Sequence, residues 1–192
     1  MRNTRSQFEK PLQAAYSAAL EYLDSLEHAP VPAQQDVATL RSHLLKPLAQ
    51  AGMPAEHVIS ELARDAAGGL VGSAGGRFFG WVIGGALPAA LAADWLTGAW
   101  DQNGAIYATS PAAAMVEEVA GGWLKEIFGL PPASSFAFVT GCQMAHVTCF
   151  AAARHALLES RGWDVERKGL SGAPQIRVLT SDQYHGTFDR AA

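Results

Sequence analysis

Two short segments hold the residues best placed for chemistry. In Phe138-Val-Thr-Gly-Cys-Gln-Met-Ala-His146 a β-like run breaks at Gly141 and a helix follows. A helix start directs free N–H groups and the positive end of its dipole outward, which suits an anion such as phosphate. Strand–glycine–helix turns also occur throughout α/β proteins without a ligand, so spacing alone leaves both readings open. The segment lacks Gly-Lys-Ser/Thr, which excludes a nucleotide P-loop, and lacks GxGxxG, which excludes the dinucleotide fingerprint. The second segment, Leu179-Thr-Ser-Asp-Gln-Tyr-His185-Gly-Thr-Phe-Asp-Arg190, puts a histidine just past the carboxyl end of a predicted strand. In open α/β sheets ligands bind along that edge. His185 is there either a solvated helix-capping ring or a flat surface on which a cofactor stacks.

A metal centre is not expected. Cys142, His146 and Cys149 fall at i, i+4 and i+7 on one helix face. The outer two are about 10 Å apart along the axis, too far to share one ion or a disulfide. No CxxC or HxxxH pair accompanies them, so two core thiols suffice as an explanation. His28, His43, His57 and His155 show no pairing pattern and read as surface or cap residues.

The elements that must position these segments come from periodicity. Apolar residues at helical spacing predict a helix over 5–28, closed by His28-Ala-Pro-Val-Pro32. Further helices are predicted over 36–48 and 54–67, the latter opened by Pro54. A glycine-rich loop, 68–76, precedes the apolar stretch 78–93 and a helix over 86–100. Ser110-Pro111 opens another helix, serine as cap and proline in the first turn, which stops at Gly129. Residues 135–140 and 176–180 read as strands around a helix over 143–160, and a last helix starts near Gly186. That order, strand–helix–strand–helix, opens a doubly wound α/β domain.

Composition narrows the function classes. The chain has 192 residues, 49% apolar and 17% charged, with net charge −4. Low charge with high hydrophobicity argues against disorder, and the absence of a basic field argues against nucleic acid or an anionic membrane as partner. A chain of this size is able to bury roughly 70% of its unfolded surface. Residues 78–93 are too short and too interrupted by glycine and Pro88 for a membrane span, and read as buried interior, with a membrane-surface segment as the alternative. The N-terminus, MRNTRSQFEKP, has no apolar signal core, and two cysteines are too few for a disulfide scaffold; both suit a reducing, cytoplasmic setting.

Five blocks together resemble a known family. They are Arg77-Phe-Phe-Gly-Trp-Val-Ile-Gly-Gly85, Tyr107-Ala-Thr-Ser-Pro-Ala112, Glu117 with Trp123-Leu-Lys-Glu-Ile-Phe-Gly-Leu-Pro131, Thr140-Gly-Cys-Gln-Met-Ala-His146, and Ser181-Asp-Gln-Tyr-His-Gly-Thr-Phe-Asp-Arg190. In order and spacing they resemble the N-terminal part of the group II pyridoxal-phosphate-dependent decarboxylases, which include the aromatic-amino-acid, glutamate and histidine decarboxylases. The resemblance covers nearly the whole chain and is strongest from about residue 68. It implies the aspartate-aminotransferase type of fold (fold type I). Residues 1–70 would be a helical segment that wraps the partner of a homodimer, and 71–192 the first part of the large α/β domain. It implies pyridoxal 5'-phosphate as cofactor and an amino acid as substrate, decarboxylated by a carboxy-lyase. By position, Gly141, Cys142, Gln143 and Met144 would hold the phosphate and His185 would stack on the pyridine ring. Trp81 and Val82 would line the substrate pocket, often across the dimer interface in the family, and Trp81 suits an aromatic or bulky substrate. Ser110-Pro111 and Glu117 match a structural block near the site.

The departures from the family pattern are specific. Many members have Gly-Gly at Gly141-Cys142 and Asn at His146, and a His-Pro pair where this chain has Gly75-Gly76. The family's Schiff-base lysine and the aspartate on the pyridine nitrogen lie well downstream of the stacking histidine, and this sequence ends seven residues after His185. Lys10, Lys46, Lys125 and Lys168 match no family lysine and read as solvated charge. No catalytic residue of the family is therefore expected in this chain, which carries one wall of the site. A separately encoded C-terminal half would complete it. The alternatives are a non-catalytic fragment that acts as a dimerising stub, or a helical binding module built on residues 1–130.

Overall fold

The computed structural model of the chain describes residues 4–192. Met1, Arg2 and Asn3, the start of the segment without an apolar signal core, lie outside the described residues. The chain forms two compact units, Met1–Trp100 and Asp101–Ala192.

The first unit is built on α1 (Thr4–Ser25), α2 (Val37–Leu44), α3 (Ala55–Ala66) and α4 (Pro88–Trp100). α1 and α3 pack on each other, and Lys10 reaches Glu56 across them at 3.8 Å. Asp36 caps α2 by accepting from the Thr39 N–H at 2.8 Å, a bond that holds its carboxyl below the usual range. α2 stops at Leu44 rather than at the predicted Leu48, because Pro47 pushes the residue before it away from helical backbone. The glycine-rich loop is strapped to the end of α1. Tyr22 Oη donates to Val71 O at 3.1 Å, Arg77 donates to the carbonyls of Leu26 and Ala29, and Gly72 N–H donates to Val31 O at 2.8 Å. The Leu40 side chain packs against Gly69, where a Cβ would sit 2.7 Å from its methyls and displace them.

Lys46 joins α2 to α3 by donating to Glu61 and Asp65. The Asp65 carboxyl is held below its ordinary range chiefly by the bond from Lys46, and the Lys46 ammonium is raised chiefly by Asp65. A depressed acid stabilises the fold above its unfolded pKa, and that contribution is lost as pH falls through the folded value. A raised base stabilises below its unfolded pKa and loses its contribution as pH rises through the folded value. The clasp therefore holds from about pH 4 to about pH 10. Helical circular dichroism is expected to fall on acidification below about pH 4 in the parent chain, and an Asp65→Asn variant is expected to lack that portion of the loss. An unchanged acid limb in the variant would remove Asp65 from this role.

The second unit holds α5 (Pro111–Ile127), α6 (Gly141–Glu159), α7 (Val165–Lys168) and α8 (Thr187–Ala191). Ser110 caps α5 as predicted, accepting from Ala113 N–H at 3.2 Å while wholly buried. Gly129, at φ 62, closes the helix: Leu130 N–H donates back to Lys125 O at 2.9 Å. Phe136 lies over the buried Gly121, where a Cβ would meet its ring at 2.1 Å.

Three expectations need correction. Among the described residues no strand forms, so the start of an α/β domain is not seen as a sheet. Residues 135–139 and 173–180 run without helix or ladder, because a strand exists only when a neighbour takes up its N–H and C=O groups. The stretch 78–93 is not interior: Phe79 is 92%, Trp81 89% and Val82 105% exposed. Lastly, the chain exposes 15665 Å2, against about 8,800 Å2 for a folded monomer of its mass. It buries about half of its unfolded surface rather than 70%.

Candidate functional site

The two chemistry-bearing segments of the sequence meet in the second unit. Gly141, at φ 77, turns the chain into α6, and its N–H is taken by Val139 O at 2.9 Å. The next two N–H groups, of Cys142 and Gln143, have no acceptor within the helix. No side chain caps this end, unlike α2, α5 and α7. Gly141, Cys142 and Met144 are exposed, while Gln143 and His146 are half-buried. A nineteen-residue helix thus opens with bare donors and its positive dipole end facing outward.

Gln143 carries the contact to the second segment. Its Nε2 donates to Thr187 O at 3.2 Å across 44 residues of sequence. Thr187 also holds His185: its N–H donates to Nδ1 at 3.2 Å, and its hydroxyl lies 3.0 Å from the same nitrogen. Beneath these polar links α8 rests on α6 through Phe188. That ring meets Phe150 edge-on at 4.9 Å, His146 at 6.2 Å and Tyr184 at 5.4 Å between centroids. The Tyr184 hydroxyl is raised above its ordinary range by its bond to Asp189. Gln143 Oε1 and His146 Nδ1 are buried without a protein partner, so the floor retains two unused polar atoms.

Gly141, Cys142, Gln143, Met144 and His185 therefore stand together. Trp81 and Val82 belong to the first unit, on the exposed segment before α4. Trp81 has φ 52, a left-handed backbone that a bulky side chain rarely adopts. Sequence reasoning missed Thr187 altogether. Its signal was weak: a threonine two residues past a histidine, at the first position of a helix.

Cys142 and Cys149 are free and exposed, not the core thiols expected. The lysines are not simply solvated. Lys125 Nζ donates to Pro132 O at 2.9 Å and Ser134 O at 3.1 Å, Lys46 bonds Glu61 and Asp65, and Lys168 lies over the Trp163 ring at 4.9 Å. His155 is exposed, as a surface residue should be, and lies 3.4 Å from Glu166 and 3.8 Å from Glu159. A cavity of about 190 Å3 sits at the opposite end of α6, lined by Leu157, Leu158, Arg161 and the 174–177 segment. About 25 Å of helix separates it from Gly141, so it is no part of this site. Among the described residues no helix is long and apolar enough to cross a membrane.

No protein-family model matches the chain. Individual proteins do. It is 28% identical over 193 residues to tryptophan decarboxylase 1 of Oryza sativa subsp. japonica, covering 94% of this chain and 36% of the relative. It is 25% identical over 192 residues to an aromatic-L-amino-acid decarboxylase of Bacillus atrophaeus, covering 98% and 38%. It is 25% identical over 186 residues to tryptophan decarboxylase TDC2 of Camptotheca acuminata, covering 96% and 37%. The chain thus spans a little over a third of the length of these relatives. Its backbone matches the crystal structure of mouse CSAD with a TM-score of 0.84 at 19% identity, over 98% of this chain and 39% of that one.

Proposed function

We propose that this chain, a relative of the group II pyridoxal-phosphate-dependent decarboxylases, supplies the N-terminal part of an amino-acid decarboxylase acting on aromatic substrates. The observation that carries this reading is the meeting of Gln143 and His185 on Thr187, which joins a bare helix start to a flat ring. Those residues suit the cofactor. The Cys142 and Gln143 N–H groups, with the backbone at Met144, would take the phosphate by charge-assisted bonds, and the His185 imidazole would lie on the pyridine ring. When bound, pyridoxal phosphate supplies an electron sink for the pair left as the α-carboxylate departs as carbon dioxide. The chain's own residues bind and orient. Trp81 and Val82 would receive an aromatic side chain, in keeping with the aromatic substrates in the relatives' names. Lys46, Lys125 and Lys168 are already engaged, and Lys10 reaches Glu56, which supports leaving covalent attachment to residues outside this sequence. The resemblance further implies a cytoplasmic homodimer, its first segment wrapped on the partner.

The large exposed surface favours a second reading, a non-catalytic dimerising stub. Equilibrium dialysis separates the two. Under the first, the chain retains pyridoxal 5'-phosphate, holds pyridoxal at least about tenfold less tightly, and loses about tenfold in affinity on His185→Ala, the value of one ring contact. Borohydride is expected to label no single lysine. Equal retention of pyridoxal and its phosphate, or an indifferent His185→Ala variant, would overturn the decarboxylase reading.

A further inference from the structure

Thr187 has three polar groups near the site, and all three are engaged with the two segments that form it. Its carbonyl accepts from Gln143 Nε2 at 3.2 Å, its N–H donates to His185 Nδ1 at 3.2 Å, and its hydroxyl lies 3.0 Å from that same nitrogen. A backbone N–H is a donor in every protonation state. The nitrogen it points at must therefore offer a lone pair, and the ring proton of neutral His185 is confined to Nε2. A proton on Nδ1 would set one N–H against another.

We propose that Thr187 is the positioning residue of the site: it fixes the plane and the Nε2–H tautomer of His185 while its carbonyl ties that ring to the helix start through Gln143. The consequence for binding rests on the decarboxylase reading; the ring geometry does not. Two contacts on one ring edge remove the free rotation about χ2 that an exposed histidine otherwise has. The ring is thus set before a flat ligand arrives, and the ligand does not bear the cost of ordering it. Gln143 and Thr187 keep the ring in register with the Cys142 and Gln143 N–H groups, so a phosphorylated ring would find both contacts at one spacing. Thr187 is the first residue of α8, where proline is tolerated because an N–H there has no helical acceptor. Thr187→Pro therefore deletes both donors without costing α8 a helical hydrogen bond, while it biases the preceding Gly186 away from its helical backbone. Thr187→Val deletes the hydroxyl alone, and Thr187→Ser keeps everything.

The test is nuclear magnetic resonance on the 15N-labelled 192-residue chain at about pH 8.5, where ordinary histidines are neutral, with His185 assigned by a His185→Gln variant. The parent and Thr187→Ser are expected to show a proton on Nε2 and a through-hydrogen-bond 15N–15N coupling between the Thr187 amide and Nδ1. Thr187→Val should keep the coupling, and Thr187→Pro should lose it, with His185 becoming as mobile as an exposed ring. Pyridoxal phosphate affinity should fall about tenfold in Thr187→Pro and be unchanged in Thr187→Ser. A parent ring that carries its proton on Nδ1, or shows no coupling, overturns the proposal whether or not the proline variant folds. If the coupling is present and the parent does not retain the cofactor, the positioning role of Thr187 in the free chain stands and the decarboxylase reading falls. If the cofactor is retained without the coupling, the decarboxylase reading stands and the positioning role falls.

Discussion

Replacing Leu158 by alanine is expected to abolish cooperative unfolding of the second unit. Leu158 is 1% exposed at the last turn of α6, and Val165, at 5%, is the other large apolar side chain that is buried among the described residues. The backbone folds back at the same place: Trp163 N–H donates to Leu158 O at 2.9 Å, Arg161 N–H donates to it at 3.0 Å, and Asp164 caps α7. A buried leucine cut to alanine costs about 3 kcal/mol, the sum of lost transfer energy and an unfilled cavity. A domain with a full core absorbs such a loss within a stability of 5–15 kcal/mol or so. Here most of the other large apolar residues are at least partly in water, so about 3 kcal/mol is a large part of what holds α6 to α7. Urea titration followed by circular dichroism, with hydrogen exchange at the α6 and α7 amides, measures it. Leu179→Ala is the control, since Leu179 is 92% exposed and its loss should register within about 0.5 kcal/mol. Equal midpoints for the two variants would show that Leu158 anchors nothing.

The helices were legible because their signals are local. Ser110-Pro111, Pro54, Asp36 and Gly129 act within four residues of themselves, and each caps or bounds a helix where the sequence placed it. What was not legible depends on distant or absent neighbours. Phe79, Trp81 and Val82 have the composition of an interior, and no sequence pattern tells which surface would cover them. The runs 135–139 and 176–180 have β character, but a ladder is a property of two strands. Lys125 looked solvated on the helical wheel. It is drawn in because Gly129 turns the chain and brings the Pro132 and Ser134 carbonyls under it. The site was half legible: the glycine bend and His185 stand out by residue type, while the residue that couples them, Thr187, was invisible until 44 positions of chain had folded.

The isolated chain is expected to self-associate, and residues 79–87 are expected to drive it. Phe79, Trp81, Val82 and Leu87 are 92%, 89%, 105% and 74% exposed within nine residues. Burying such side chains yields about 1.5–3 kcal/mol each, or about 6–12 kcal/mol for the four. Association costs about 4–15 kcal/mol in lost freedom. The two ranges overlap, so this segment alone gives at most weak, concentration-dependent association, and exposed Leu48 and Ile127 add to it. The left-handed backbone of Trp81 costs about 1–3 kcal/mol and persists only where surrounding contacts hold it, so association offsets that cost if the segment keeps this conformation. Sedimentation velocity on the parent should give a mean mass that rises above 20.3 kDa with concentration, together with strong binding of an apolar dye. Trp81→Ser with Val82→Ser should return most of the material to the monomer. Asp36 and Asp65 lie on other elements, and neutralising them should leave the association unchanged. A parent chain that stays monomeric at high concentration and binds no dye would mean that these side chains find cover within the chain itself. Trp81 and Val82 would then be turned away from any substrate, and the aromatic specificity proposed for them would fall with the association.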